Sequence, residues 1–305
     1  MRVASLLPSA TEILHFTGAT DTLVGVTHEC DYPKGVETLP KLTASRIQAN
    51  MTGAEIDAAV GKLSDEDGIY TLDAELLADL SPDLILTQGL CDVCAVSVGV
   101  VERAVSNLDP EPGILSMNPT SLGEVLECVA AVGKAVGRED ETSEKLASLR
   151  RRLDHVQDAV AGLPRPRVGC IEWLDPPFSA GHWVPEMVRM AGGKELFAGE
   201  GEPSARLSWK EVFEARPEVL ALMPCGFDVR RTVEEARSLE PLSGWEEIPA
   251  VGSGRVWAVD ANSYFSCPGP RLVDGVEMLA RILHPEAFAD TPNAGEAAPL
   301  SYASS

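Results

Sequence analysis

Two stretches decide the fold: Leu76–Gly89, which reads LLADLSPDLILTQG, and Val212–Gly226, which reads VFEARPEVLALMPCG. Each combines an apolar helix end, a proline, an acidic residue, a short apolar run and a glycine. A short apolar run between turn residues is typical of a buried parallel strand. Because this unit occurs in both halves of the chain, the sequence predicts two α/β lobes with central parallel sheets.

The segment between the two halves predicts one long helix over residues 139–163. Its apolar residues recur at alternating spacings of three and four, with charged residues between them. A coiled-coil dimer is the alternative, although about three heptads is close to the lower limit for that interpretation. We expect a monomer with an N-terminal lobe at 1–138, the helix at 139–163, a C-terminal lobe at 164–289 and a disordered tail at 290–305. The fold class is α/β, with two Rossmann-like lobes joined by one long rigid helix.

Local patterns place the secondary structure. Three Ser-x-x-Glu patterns predict helix-capping boxes at Ser9–Glu12, Ser121–Glu124 and Ser208–Glu211. The expected strands are Val3–Leu7, Leu84–Leu86, Ile114–Leu115, Val168–Ile171, Val219–Leu222 and Val256–Val259. Shorter helices are expected at Val184–Ala191 and Arg271–Leu283.

The composition excludes several classes of partner. The 305 residues include 47 acidic and 25 basic side chains, giving a net charge of −22. Such a surface repels phosphate backbones and anionic lipids, so we expect neither nucleic-acid binding nor membrane insertion. The N-terminus does not read as a signal peptide, and seven scattered cysteines argue against a disulfide framework. We therefore expect a cytoplasmic protein as the sequence is written, or an extracytoplasmic one if the true start lies upstream.

Cysteine and histidine side chains offer the main candidates for chemistry. The chain has no Walker loop, nucleophile elbow or zinc-protease motif. Cys91 and Cys94 form a C-x-x-C pair, which can be a redox dithiol or half of a zinc site. A second pair of ligands for such a site would have to come from Cys30, His28 or Cys267. The alternative is that the cysteines are small packing residues.

Aromatic loops after strands suggest a ligand surface. The loop that follows the predicted Val168 strand carries Trp173, Phe178 and Trp183, and the loop after the Val256 strand carries Tyr264 and Phe265. Packing within the protein is the alternative, but apolar loops at strand ends also suit a flat hydrophobic ligand. Three residues come after predicted strands of the first half and are candidates for the same surface, in a cleft between the lobes: His28, Tyr32 and Gln88.

Several motifs resemble those of class III solute-binding proteins of ABC transporters, of the vitamin B12-binding type. The resemblance is carried by RVASLLPSATEIL from Arg2, VGVTHECDYP from Val24, LDPPFSAGHWVPEMVRMAGG from Leu174 and SYFSCPGPRLVDGVEMLARILHP from Ser263. It implies a non-enzymatic protein that needs no cofactor and binds a corrinoid such as cobalamin. An iron-siderophore or haem binder is the first alternative. A dithiol redox protein or metal-dependent enzyme that uses Cys91 and Cys94 is the second.

The resemblance also assigns roles to individual residues. His28 falls where B12 binders carry a pocket aromatic, and it could be a hydrogen-bonded loop residue, a pocket wall or a cobalt ligand. Trp209 falls near a pocket tryptophan, and Tyr264 with Phe265 matches an aromatic pair at the pocket rim. Glu75 and Glu211 match the surface acids that dock onto an ABC permease.

Overall fold

A computed structural model describes residues 1–47, 51–62, 68–89, 96, 98–106, 108–237 and 244–301. Its contacts group the chain into two units. The first comprises Met1–Met51, Glu55–Pro119 and Glu124–Ala147, and the second comprises Thr52–Ala54, Thr120–Gly123 and Ser148–Ser305. Each unit is described by itself below.

The N-terminal half of the chain alternates strands and helices. Its elements are β1 (Val3–Ser5), α1 (Pro8–Phe16), β2 (Leu23–Gly25), β3 (Thr43–Ser45), α2 (Gly53–Val60), β4 (Tyr70–Leu72), α3 (Ala74–Leu80), β5 (Leu84–Thr87), α4 (Val98–Val105), β6 (Gly113–Ser116) and α5 (Leu122–Ala135). The main sheet is parallel and has the order β2-β1-β5-β6. Strands β3 and β4 form a separate antiparallel pair. A core that includes Leu6, Leu42, Leu77 and Ile85 packs against the sheet.

The long helix and the second unit follow. Their elements are α6 (Glu139–Val160), β7 (Arg167–Leu174), β8 (Pro177–Ser179), α7 (Val184–Met190), β9 (Lys194–Glu195), α8 (Trp209–Ala215), β10 (Val219–Leu222), α9 (Val229–Ala236), α10 (Pro249–Gly252), β11 (Val256–Val259), α11 (Ala261–Tyr264), α12 (Leu272–Leu283) and β12 (Ala297–Pro299). The sheet has the order β12-β11-β10-β7-β8, and β9 also pairs with β7. It is parallel at its centre, while β8 and β12 run antiparallel to their neighbours.

These sheets confirm the predicted fold class, and β10 and β11 have the predicted bounds. Two expectations at the N-terminus are wrong. Strand β1 ends at Ser5 rather than Leu7, and α1 has Leu7 at its N-cap, with no capping side chain. Pro8 already occupies the first turn, where its fixed φ favours the helix, so Ser9 lies inside the helix instead of capping it.

The C-terminal tail is the clearest correction. Residues 290–305 were expected to be disordered, but Ala297–Pro299 forms β12 and pairs antiparallel with β11. The side chain of Ala297 is only 3% exposed. The edge of β11 offers unpaired backbone groups, and an alanine-rich segment can cover them with little steric demand. A composition that reads as a linker therefore completes the sheet.

Helix α6 ends three residues before the predicted end, and Gly162 follows with a positive φ of 77°. Its apolar seam is buried, as the spacing predicts. In the second unit, Arg152 of α6 donates two hydrogen bonds to the Glu277 carboxylate of α12, at 2.8 and 2.7 Å. Arg152 also donates to Asp274, so this helix pair is held by a bidentate ion pair with an additional carboxylate.

Candidate functional site

The loop after β2 holds His28 at the surface of the first unit. The backbone N–H of His28 donates to Thr43 Oγ1 at 3.3 Å, and the ring Nδ1 lies 2.8 Å from the same oxygen. Thr43 begins β3 and is buried, so it is a fixed anchor. The His28 side chain remains 27% exposed. Its ring is thus held in one orientation while part of it faces solvent.

Tyr70 and Glu29 complete the surroundings of this ring. The Tyr70 hydroxyl donates to Glu29 Oε1 at 2.9 Å, and the rings of Tyr70 and His28 lie 5.5 Å apart at an angle of 53°. Glu29 Oε1 lies 3.9 Å from His28 Nε2, which is longer than a hydrogen bond. Tyr70 therefore holds the Glu29 carboxylate beside the imidazole, and the carboxylate does not hydrogen-bond to Nε2.

These side chains line a depression open to solvent, with a cavity volume of about 10 Å³, which is room for about one water molecule. Its walls are Leu6, Pro8, Thr27, His28, Glu29, Thr43, Tyr70 and Val96. Pockets that enclose a drug-sized ligand are about 300–1,000 Å³. The depression by itself therefore holds no more than a small group, and its lining combines apolar side chains with an imidazole, a phenol and a carboxylate.

The neighbouring residues Cys30 and Tyr32 lie elsewhere. Cys30 is buried, and its Sγ lies 3.1 Å from Thr11 Oγ1 and 3.3 Å from Thr27 Oγ1. Tyr32 is 38% exposed and packs edge-on against His15. The described ranges hold no group of three or more His, Cys, Asp or Glu side chains that could bind a metal. The expected metal set of His28, Cys30, Cys91 and Cys94 stays a prediction. Cys91 and Cys94 themselves lie outside the described residues.

Gln88 follows β5 and is 6% exposed. It was expected to reach a ligand, because polar residues at the carboxyl ends of parallel strands commonly do. The structure instead buries most of its surface, so a ligand at the surface of the first unit has little access to it.

The second-unit segment Trp173–Trp183 was expected to be one loop, but Trp173 lies in β7 and pairs with Phe178 of β8, and the segment is largely packed into the protein. The indole Nε1 of Trp183 donates to the Phe265 carbonyl at 2.8 Å, and the two side chains are 7% and 3% exposed. Trp183 and Phe265 were expected on a ligand surface, and this placement corrects that expectation. Large apolar rings are buried in preference to being displayed when the fold provides a backbone acceptor for the indole N–H.

Trp173, Phe178 and Tyr264 stay partly accessible. Trp173 packs edge-on against Phe227, and its Nε1 donates to the carbonyl of Gly53, a residue grouped with the second unit. The Arg206 guanidinium lies 5.9 Å from the Phe178 ring centre, and the Arg271 guanidinium lies 6.0 Å from that of Tyr264. Burial raises the pKa of the Tyr264 hydroxyl. These three rings could still offer an edge or a face to a ligand.

Trp209 contributes to the core more than to the surface. Its Nε1 donates to the Leu174 carbonyl at 3.2 Å, and its ring contacts Phe213 and Trp245. It is half-buried against the core of the second unit. If Trp209 contacts a ligand, as the sequence predicts, it must do so with the part of its ring that remains exposed.

The two acids expected to dock onto a permease are exposed, and each lies in the first turn of a helix. Glu211 forms the predicted capping box: its carboxylate accepts from the N–H and hydroxyl of Ser208, each at 2.7 Å. These hydrogen bonds lower the pKa of Glu211. Glu75 has no capping role, because Asp73 caps its helix by accepting a hydrogen bond from the Leu76 N–H.

Sequence reasoning missed Thr43 and Tyr70. They lie 27 residues apart, on β3 and β4, which pair antiparallel with Ser45 opposite Tyr70. Each strand has three residues, too few to show an alternating pattern. The one available signal was Tyr70 itself, an aromatic residue that closely follows Gly68 and precedes α3.

Comparison with known proteins places this geometry in a family. Residues 3–262 match the model of the periplasmic binding protein family, and the chain belongs to that family. It is 25% identical to the uncharacterised ABC transporter substrate-binding lipoprotein YvrC of Bacillus subtilis, over 94% of this chain and 81% of the relative. It is 23% identical to the vitamin B12-binding protein of Vibrio cholerae, over 92% and 88% of the two chains.

The fold also matches solved structures. A periplasmic haem-binding protein from Pseudomonas aeruginosa superimposes with a TM-score of 0.75 at 19% identity, over 100% of this chain and 99% of that one. The family defines a protein that binds a solute and is not an enzyme. Among the described helices, none combines the length and apolar character needed to cross a membrane.

Proposed function

We propose that this chain is the solute-binding component of an ABC importer and that its solute is a corrinoid. The observation that carries the proposal is the family match over residues 3–262, with curated relatives that include an ABC transporter substrate-binding lipoprotein. An importer component of this kind works on the outer side of the cytoplasmic membrane. The proposal therefore favours the extracytoplasmic alternative of the two compartments considered from the sequence.

The corrinoid is favoured by sequence relationships rather than by fold. The Vibrio cholerae relative is named for vitamin B12 and aligns with 92% of this chain. The haem-binding structure has a high TM-score, but at 19% sequence identity it supports only the fold assignment and not the choice of ligand. The motifs around His28, Trp183 and Tyr264 support the same choice, since they resemble those of B12 binders.

We assign the ligand-contacting surface of the first unit to the depression around His28 and Tyr70. In the second unit, Trp173, Phe178 and Tyr264 keep accessible rings and remain candidates. Trp183 and Phe265 are removed from the set because they are buried.

Equilibrium titration tests the ligand directly. The purified chain is titrated with aquocobalamin, haemin and a ferric siderophore, and binding is followed by the visible spectrum of each compound and by calorimetry. We expect micromolar or tighter binding of aquocobalamin and at least tenfold weaker binding of the others, a difference of about 1.4 kcal/mol. Tighter binding of haemin or the siderophore would replace the corrinoid assignment but keep the importer role.

We propose that Glu75 and Glu211 contact the permease. Both carboxylates are exposed, and each lies in the first turn of a helix. Reversing both charges, with Glu75→Lys and Glu211→Lys, should abolish uptake in a reconstituted importer while leaving solute affinity unchanged. Unimpaired uptake by this double variant would contradict the docking assignment.

A further inference from the structure

Two cysteines of the second unit lie on neighbouring loops. Cys225 follows β10 and is exposed, and Cys267 follows α11 and is partly exposed. Strands β10 and β11 are adjacent and parallel, so the segments that follow them leave the sheet at the same edge. The fold therefore brings two thiols that are far apart in sequence to one cluster of loops.

Hydrogen bonds join these two loops. The N–H of Gly226 donates to Ser266 Oγ at 3.4 Å. The donor residue directly follows Cys225 in the chain, and the acceptor residue directly precedes Cys267. The carbonyl of Phe227 also accepts from two N–H groups in the first turn of α11, at 3.1 and 3.2 Å. The contact between the loops thus lies immediately beside both cysteines.

The turn that carries Cys225 is anchored to the sheet and presents its thiol to solvent. The Phe227 N–H donates to the Pro224 carbonyl at 3.0 Å, and Gly226 has a positive φ of 75°, which together define a tight turn. The Cys225 N–H donates to the carbonyl of Glu172 in β7 at 3.0 Å. The backbone of Cys225 is therefore held in place while its side chain stays accessible to small molecules.

The other cysteines that the structure describes are less suited to react. Cys30 and Cys170 are buried, and Cys128 is partly buried in α5. Burial raises the pKa of the Cys128 and Cys170 thiols, which disfavours the reactive thiolate. Cys225 is the exposed cysteine of the described set, so exchange with a disulfide in solution should begin there.

We propose that Cys225 and Cys267 form a modification site, at which a small-molecule disulfide such as oxidised glutathione creates a reversible bond between the two loops. The inference rests on the proposed function in one respect, since an importer's solute-binding component works outside the cytoplasm, where disulfides persist. One bond at the surface is not a framework that holds the fold, because the core of the second unit is built from apolar side chains.

The bond forms by two thiol–disulfide exchanges. The Cys225 thiolate attacks one sulfur of oxidised glutathione, the glutathione S–S bond breaks, and one glutathione leaves as a thiolate that takes up a proton. The Cys267 thiolate then attacks the Cys225 sulfur of this mixed disulfide and displaces the second glutathione. Two protein thiols are oxidised, and one molecule of oxidised glutathione is reduced to two molecules of glutathione.

The bond should restrain the loop that carries Tyr264, one of the candidate ligand-contacting rings, because Cys267 lies on the same loop. It should also limit the freedom of the unfolded chain between the two cysteines, which stabilises the folded state. The oxidised chain should therefore unfold several degrees higher than the reduced chain.

Peptide mapping tests the bond directly. The reduced chain is equilibrated with a mixture of oxidised and reduced glutathione, its remaining thiols are alkylated, and it is digested with trypsin. The tryptic peptide 211–230 contains Cys225 as its only cysteine, and the peptide 256–271 contains only Cys267. We expect these two peptides to be recovered as one cross-linked species that dithiothreitol separates.

Matched variants test the assignment. Cys225→Ser and Cys267→Ser should each abolish the cross-link and the difference in thermal midpoint between oxidised and reduced chains. Cys128→Ser, at the partly buried cysteine of α5, should keep both. Glutathione that stays on Cys225 without a bond to Cys267, or a cross-link from Cys225 to Cys91 or Cys94, would overturn the proposal.

A titration with aquocobalamin after removal of glutathione separates this proposal from the proposed function. Corrinoid binding by a chain that forms no bond between Cys225 and Cys267 would overturn the modification site and leave the proposed function in place. The cross-link in a folded chain that binds no corrinoid would support the modification site, and the corrinoid assignment would fail.

Discussion

The His28 loop of the first unit and the Trp173–Trp183 segment of the second make opposite uses of similar material. The His28 loop follows β2, whereas the second segment spans the end of β7, β8 and the loop before α7, and both carry rings with nitrogen donors. The second segment buries Trp183 and satisfies its indole N–H with a backbone carbonyl. The first keeps His28 part-exposed and secures only one of its nitrogens, through Thr43. A ring whose polar atoms are all used by the fold stabilises the protein, whereas a ring with one polar atom left over can bind a ligand.

The largest effect should come from Trp183→Ala. Removing a 7% exposed indole leaves a cavity and an unpaired Phe265 carbonyl, and we expect a loss of about 3–5 kcal/mol in the free energy of unfolding. Chemical denaturation measures it. Phe178→Ala, at a part-exposed ring of the same segment, should cost about 1 kcal/mol and serves as the control. If Trp183→Ala has near-native stability and binds the solute more weakly, Trp183 is a ligand-binding residue and not a structural one.

The next effect concerns affinity. His28→Ala should weaken aquocobalamin binding about tenfold, or about 1.4 kcal/mol, because it removes the ring that faces the depression. The free energy of unfolding should change by less than about 1 kcal/mol, since the ring is partly exposed. Calorimetric titration and denaturation of the same preparation measure both quantities. Unchanged affinity together with a large loss of stability would show that His28 is structural.

The comparison also explains how far the sequence could predict the molecule. The repeated helix–proline–strand unit predicted two parallel α/β units, because an apolar run between turn residues has few alternatives. It also placed β10 correctly, and the separate apolar run Val256–Val259 did the same for β11. Burial of aromatics could not be predicted, since Trp183 and Phe178 read alike in sequence and differ only in what packs around them. Thr43 and Tyr70 were missed because a pairing of two three-residue strands unites them with His28.

Capping chemistry marks the limit of local motifs. Three Ser-x-x-Glu patterns were read as capping boxes. Ser208–Glu211 forms one, whereas at α1 the helix begins at Pro8 and Ser9 lies inside it. The pattern specifies a cap only when the serine is the last residue with extended backbone before the helix. The prediction of a disordered tail failed for a related reason. The composition of the tail carries no information about the edge of β11, with which β12 pairs.

The smallest effect separates the two exposed acids. Glu211→Ala should lower the free energy of unfolding by about 1 kcal/mol, because the Glu211 carboxylate accepts two hydrogen bonds from Ser208. Glu75→Ala should change it by less than about 0.5 kcal/mol, since Asp73 caps that helix. Thermal unfolding of both variants measures the difference. Glu211→Gln can still accept in a capping box and should recover part of the loss, and equal costs at Glu75 and Glu211 would contradict this division of roles.

The most direct test of the central claim is one titration series with aquocobalamin on three proteins: the native chain, His28→Ala and Trp183→Phe. Trp183→Phe keeps a buried six-membered ring and loses the five-membered ring with its N–H, so it is a smaller change than Trp183→Ala and separates ligand contact from gross unfolding. We predict that Trp183→Phe binds like the native chain and that His28→Ala binds about tenfold more weakly. The account is contradicted if His28→Ala binds like the native chain while Trp183→Phe, still folded, loses affinity.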